Sequence, residues 1–238
     1  MIPFFRKIRR WLIAENKFSR YLLYAAGEII LVVAGILIAL SINNWNEAKK
    51  EHKIETEILN EILSNLDSDI KNLDECIAST EEWIFQNNEV LQHLNNNSPL
   101  TDTLRRYYVL LIADSPFYPN KLGYKNLNSL GMNIIRNEQL RNEISMLYEN
   151  KYYFFVEDRK RASDIWQERI LDQLSEKLEY IKPWEAEPIN LEELRHNIQF
   201  KNVVLNHKTM LEWTIDRYNQ GKKEIQVVMQ SIRDELNK

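Results

Sequence analysis

The sequence predicts an all-α protein, with an N-terminal transmembrane helix followed by an elongated antiparallel helical bundle. Three observations carry this expectation. Residues 21–42 read YLLYAAGEIILVVAGILIALSI and hold a single charge, Glu28. Five glycines and six prolines are few for 238 residues, which favours long uninterrupted helices over a turn-rich β fold. Beyond residue 54, apolar residues recur at helical spacing, and no alternating strand pattern of useful length is found.

Residues 1–20 carry Arg6, Lys7, Arg9, Arg10, Lys17 and Arg20 against one acid, Glu15, a net charge of +5. Phe4, Ile8, Trp11 and Leu12 share one helical face. This segment is expected to be a cytoplasmic, basic, amphipathic stretch lying on anionic headgroups. As a helix, residues 21–42 would be about 33 Å long, enough to cross a hydrocarbon core of about 30 Å. Tyr21, Tyr24 and Trp45 mark its ends, as interfacial rings do. Six basic residues before the span face Lys49, Lys50 and Lys53 after it, so the N-terminus is expected inside the cell. A cleaved signal peptide is the competing reading, with Ala39 and Ser41 as the small residues at the cleavage site. The apolar run is too long for that reading and the stretch before it is too extended.

Residues 43–238 form the expected extracytoplasmic bundle. The whole chain sums to −4, with +5 before residue 21 and −1 in the span, so this part carries −8. Such a balance gives no reason to expect nucleic acid as a partner. Leu59, Leu63, Leu66, Ile70, Leu73, Ile77, Ile84, Leu91 and Leu94 follow a heptad seam, broken only at Thr80 and Asn87. Ile54, Ile58 and Ile62 widen the stripe, which favours an intramolecular bundle over a two-stranded coiled coil. The helix should stop at Asn95-Asn-Asn-Ser-Pro99. A short helix is expected near 100–113 and another, with a turn, in 120–136. A second long helix starts near Asn137 with the stripe Leu140, Ile144, Leu147, Tyr148, Tyr152, Phe155, Ala162, Trp166, Ile170, Leu174, Leu178 and Ile181. A short helix near 190–197 leads to the last one, where Val204, Leu211, Tyr218, Ile225 and Ile232 recur every seven residues straight through Gly221. That glycine should lie within the helix and face something close. Cys76 falls on an apolar pattern and is expected to be a buried small hydrophobe.

Two places invite a functional reading. A carboxylate within the bilayer costs at least ~2.5 kcal/mol, so Glu28 is expected to be protonated, paired or turned toward another helix. Gly27, Gly35 and Ala39 make a small-residue ridge beside it, interrupted by Leu31, where helices could approach closely. Polar glue in an assembly is the expected role, with proton or ion carriage, or a protonated side chain without a role, as the alternatives. The second place is Tyr152-Tyr-Phe-Phe155, followed by Arg159 and Trp166. Four successive aromatics cannot all face one core. Either two pack inward and two cover a neighbour, or Tyr152, Phe155, Arg159 and Trp166 line a groove where Arg159 fixes an acidic group. The turns at Ser115–Pro119 and Asn126–Gly131 could supply the other wall.

The stretch Glu15-Asn-Lys-Phe-Ser-Arg-Tyr-Leu-Leu-Tyr24, then Gly27-Glu-Ile-Ile-Leu-Val-Val-Ala-Gly-Ile-Leu-Ile-Ala-Leu40 and Asn43-Asn-Trp-Asn-Glu47, resembles the opening of a family of uncharacterised membrane proteins from Bacteroidota. Tyr124-Lys-Asn-Leu-Asn-Ser-Leu-Gly131 and Ile134-Ile-Arg-Asn-Glu-Gln-Leu-Arg141 resemble that family's middle region. The resemblance covers most of the chain and is most specific at the N-terminus. It implies a Gram-negative bacterial inner membrane with the bundle in the periplasm, and it carries no activity or catalytic residue.

The residues themselves offer no catalytic constellation. His52, His93, His196 and His207 do not pair at metal-binding spacing, and no Walker, Rossmann or G-x-S-x-G signature occurs. No catalytic residue, metal or cofactor is therefore expected. A membrane-anchored interaction or scaffold protein, bound to the lipid bilayer and assembled with itself or another membrane protein, needs only the features above. A ligand-sensing ectodomain acting through a partner and a subunit of a proton- or ion-coupled complex are the alternatives.

Overall fold

The computed structural model describes residues 18–238. The amphipathic segment read around Phe4, Ile8, Trp11 and Leu12 lies outside the described residues. The chain divides into a first unit ending at Ile54 and a second, Glu55–Lys238.

In the first unit the helix α1, which spans Phe18–Asn96, carries the apolar run that ends at Ile42. Its window of mean hydropathy 2.5 has none of its residues buried, and it is long and apolar enough to cross a membrane. Ser41 donates its hydroxyl to the Leu37 carbonyl at 2.8 Å, which satisfies it within the helix. Just past the run, Lys49 sits over the Trp45 ring at 5.8 Å.

The second unit is all-α apart from one small hairpin. It contains the rest of α1, α2 (Asp102–Val109), α3 (Leu122–Leu130), α4 (Glu138–Met146), α5 (Arg159–Lys177), β1 (Leu178–Lys182), β2 (Glu185–Pro188), α6 (Leu191–His196) and α7 (Ile198–Leu236). Short 3-10 turns follow α2 and α3, and two π turns, Leu147–Lys151 and Phe154–Asp158, join α4 to α5. Thr101, Asn137, Asn190 and Asn197 cap α2, α4, α6 and α7, each side chain accepting a backbone N–H three residues on.

Cross-chain bonds give the path. Asn120 N–H reaches Asp69, Gly123 N–H reaches Asn65, Asn126 reaches Glu61 and Arg136 N–H reaches Glu55, so residues 120–136 run back along α1. The chain then turns at Asn137 and rises beside α1, with Tyr152 beside Asp69. The last helix descends, its Lys201, His207 and Lys222 meeting Asn95, Asn87 and Asp74 in turn. Within this unit α7 is therefore antiparallel to both α1 and the α4–α5 segment.

Two apolar clusters fill the interior. One gathers Ile58, Ile62, Leu66, Leu140, Ile144, Tyr152, Phe155, Tyr218, Ile225 and Ile232. The other gathers Val90, Leu94, Tyr108, Leu111, Ile170, Leu174, Phe200 and Val204. Cys76 is buried in the first.

The heptad seam of α1 is only partly the buried one. Leu59, Leu66, Leu73 and Leu94 are inside, and so are both interruptions, Thr80 and Asn87, each 1% exposed. Leu63, Ile70, Ile77, Ile84 and Leu91 are half-buried, because Asn65, Asp69, Gln86 and His93 take inward positions. Asn65 and Asp69 are needed there as acceptors for the irregular backbone at Gly123 and Asn120.

The expected long second helix is corrected at its end. It stops at Lys177 and the chain continues into an antiparallel hairpin, with Leu178 opposite Pro188 and Tyr180 opposite Ala186. Leu178 stays buried, whereas Ile181, expected on the helical stripe, is exposed. Pro183 stands in the turn between the two strands, where it disfavours helix at Lys182 and cannot donate to a helical ladder. Arg105 holds β2 against α2 through Glu187 at 3.0 Å.

Candidate functional site

Between the two apolar clusters each long helix places polar residues inside: Thr80 and Asn87 on α1, Arg159 and Ser163 on the rising helix, and His207 and Thr214 on α7. Several groups of this layer bond one another, while Thr80 and Thr214 donate to carbonyls of their own helices. Arg159 Nη1 donates to both oxygens of Asp114, at 2.5 and 2.6 Å, and Ser163 donates to Asp114 Oδ2 at 2.7 Å. His207 is fully buried, with Nδ1 3.2 Å from Asn87 Oδ1 and Nε2 3.2 Å from the Ala113 carbonyl. Asn87 in turn donates to the Trp83 carbonyl, which fixes the direction of its amide. Trp166 stacks on the His207 ring at 5.3 Å and 2°. Burial pushes the His207 imidazole down to about 4, against the opposing pull of the Ala113 carbonyl and the Asp114 charge.

Below this layer lies an aromatic one. Tyr152 is fully buried and donates to Asp69 Oδ2 at 2.5 Å, while Asn120 N–H donates to Oδ1 at 2.8 Å. Burial pushes the Asp69 carboxyl up to about 6 despite these two hydrogen bonds. Burial, followed by the Asp69 charge, also raises the Tyr152 and Tyr148 phenols. Phe117 packs edge-on to Tyr152 and Tyr218 at 6.0 and 6.3 Å. Tyr218 donates to the Ser115 carbonyl at 2.6 Å and accepts from Phe117 N–H at 3.2 Å. Phe155 packs against α7 where Gly221 has no side chain, so that a Cβ there would stand 3.2 Å from two ring atoms.

The four residues read as a groove are therefore placed in two adjoining layers. Tyr152 and Phe155 belong to the aromatic layer, and Arg159 and Trp166 to the polar one. Arg159 does fix an acidic group, and that group is the chain's own Asp114. Of the four successive aromatics, Tyr152 and Phe155 point inward while Tyr153 and Phe154 are 52% and 55% exposed. The Ser115–Pro119 turn packs against Tyr152 through Phe117. The 126–131 segment instead sits by Glu61 through Asn126. Among the described residues, no group of three or more His, Cys, Asp or Glu side chains is placed to hold a metal ion.

In the first unit, Gly27 and Gly35 are open, since a Cβ at either would meet nothing within 4 Å. Ala39 is exposed and Glu28 half-buried. A cleft of about 350 Å³ lies against Ala25, Glu28, Ile29, Val32 and Val33.

A site that sequence reading missed lies on the other side of the rising helix. Between α4 with its first π turn and α7 runs an open groove of about 680 Å³, lined among others by Glu138, Glu143, Met146, Lys151, Glu224 and Val227. Leu147 and Val228 are its buried apolar residues, and Met146 and Val227 are 51% and 62% exposed. Lys151 and Glu224 bond across it at 3.1 Å. Met146 and Val227 both stand off the buried stripes of their helices, and that was the available signal.

Fold and sites together describe an all-helical protein with one candidate membrane helix, a well-packed helical unit and a surface groove. A model of a family of unknown function, DUF6090, matches residues 28–176, and the chain belongs to that family. No curated protein and no solved structure matches it.

Proposed function

We propose that this chain is a membrane-anchored helical interaction protein that works within a membrane complex, as a homo-oligomer or with another membrane protein. The observation that carries the reading is the apolar surface of α1 between Leu22 and Ile42. Its large aliphatic side chains are about half exposed or more, Leu31 reaching 71%. Lipid or another membrane helix is the environment such a surface requires. The +5 charge of residues 1–20 supports a cytoplasmic N-terminus, and hence a folded unit on the outer face of a bacterial inner membrane. The open backbone at Gly27 and Gly35 beside Glu28 supports a helix–helix contact there. Arg159 and Ser163 are both engaged by Asp114 inside the folded unit, a structural use of the polar layer that favours a scaffold.

Membrane fractionation tests this. The chain should stay in the membrane through an alkaline wash. A C-terminal alkaline phosphatase fusion should be active and a green fluorescent protein fusion dark. In mild detergent, the assembly should keep its size in Glu28→Gln and lose it in Glu28→Leu. A chain released by the alkaline wash overturns the reading.

A further inference from the structure

The groove between α4 and α7 has an apolar floor and an acidic rim. Glu138, Glu143 and Glu224 line it against one base, Lys151, already bonded to Glu224. It continues toward the end of α7 into a second hollow that shares Gln139 and Glu143 and adds Asp234, Glu235 and Lys238. Asn137 and Lys238 hydrogen-bond Glu235 and hold its carboxyl below the usual range, so it is a fixed negative charge. Glu143 stands at the junction. Its Oε1 accepts from Gln139 at 2.8 Å, while its Oε2 is shielded from water and meets no donor among the described residues. With that oxygen uncompensated, Glu143 adds negative charge to the groove wall, which an ammonium or guanidinium lying in the groove would offset.

We infer that this groove docks a cationic amphipathic helix of a partner protein, its apolar side chains between Met146 and Val227 and its Lys or Arg side chains on Glu143 and the neighbouring carboxylates. The inference rests on the interaction reading above but not on the membrane anchor. Apolar contact alone would admit any oily helix; the carboxylates select the basic one. A second copy fits poorly, because residues 43–238 carry −8 and a two-fold contact through this face would set its carboxylates against each other.

The test uses the full chain in phosphatidylcholine nanodiscs, with empty nanodiscs as control. The probe is a fluorescein-labelled 18-residue helical peptide of Leu and Lys, one face apolar and one basic. It should bind the loaded discs saturably and at least about tenfold more tightly than the empty ones. Glu143→Gln combined with Glu224→Gln should weaken binding about tenfold and flatten its salt dependence. Val227→Asp should weaken it through the floor. All three substitutions lie at exposed or half-exposed positions, so circular dichroism and melting should match the wild type and separate lost binding from lost folding. The counterpart peptide with Glu in place of Lys should not bind.

Equal binding to empty discs, equal binding of the acidic peptide, or unchanged binding by the variants each overturns the inference. So does a dimer that Val227→Asp converts to monomer, which would give the groove to a second copy. A chain that fails to bind the cationic peptide yet still keeps its assembly size in detergent loses this inference alone, and the interaction reading stands.

Discussion

Two stretches of the same helix, α1, meet opposite fates. Between Leu22 and Ile42 its large aliphatic side chains are exposed all round, whereas from Glu55 to Asn96 one stripe is buried and the other faces are solvated. The backbone is helical throughout, so helix formation does not tell the two apart. The distribution of side chains does. An all-round apolar surface calls for lipid, and a stripe calls for protein neighbours. The buried stripe is also the more polar in one respect, since it places Asn65, Asp69, Thr80 and Asn87 inside. These pair with the connector, with their own helix and with α7.

Paired substitutions break or sharpen this contrast. The largest effect belongs to truncation of buried side chains. Leu66→Ala should destabilise the folded unit by about 2–5 kcal/mol, while Ile36→Ala leaves its unfolding unchanged. Urea denaturation in detergent, followed by Trp fluorescence, measures both, and equal losses would erase the distinction. Next come two glycines. A Cβ on Gly123 would meet Asn65 Oδ1 at 3.0 Å and the Ile62 backbone nitrogen at 3.1 Å, and the latter cannot yield. Gly123→Ala should cost about 1–3 kcal/mol. Gly35→Ala should cost nothing in the same melt, because its surroundings are open.

A subtler pair is read against pH. In the fold, Asp69 holds its proton up to about 6, against an ordinary value of 3.8. Between those values the folded state binds more protons than the unfolded one, so this group's contribution falls as pH rises through the window. His207, at about 4 against 6.5, has the opposite sign, and its contribution is lost as pH falls through that range. The melting temperature of the wild type relative to Asp69→Asn should therefore drop from pH 4 to 7. Relative to His207→Gln it should rise. A flat difference in either series would mean that the group has the same pKa in the folded and unfolded states.

The smallest expected effect is at the hairpin turn. Trp184 is exposed with φ 64°, a left-handed conformation that costs a residue with a Cβ about 1–2 kcal/mol. Trp184→Gly should raise stability by about 1 kcal/mol in thermal melts, and a loss would mean that the indole packs in a way its exposure does not reveal.

How much of this could be read from the residues varies along the chain. The stripes from Leu140 to Phe155 and from Val204 to Ile232 were legible because their contacts are apolar and repeat at helical spacing. Gly221 was legible as a close approach, though not the Phe155 ring that fills it. The rotation of α1's buried face was not, because it answers to backbone donors at Asn120 and Gly123, more than fifty residues away in sequence. Arg159 was read as an acid binder, yet nothing local points to Asp114, 45 residues upstream. The hairpin was hidden because Leu178-Glu-Tyr-Ile-Lys182 suits either a short strand or a helical turn, and only Pro183 argues for the first. The groove needs two helices side by side before it exists at all.

The family match ends at residue 176, before α7 begins, yet α7 supplies Tyr218, Ile225 and Ile232 to one apolar cluster and Phe200 and Val204 to the other. A shortened protein stopping where the match stops would leave both cores open along their length. The end of the family match and the end of the packed unit do not coincide here, so a fragment made for biophysics, or a graft onto another anchor, has to extend through Leu236.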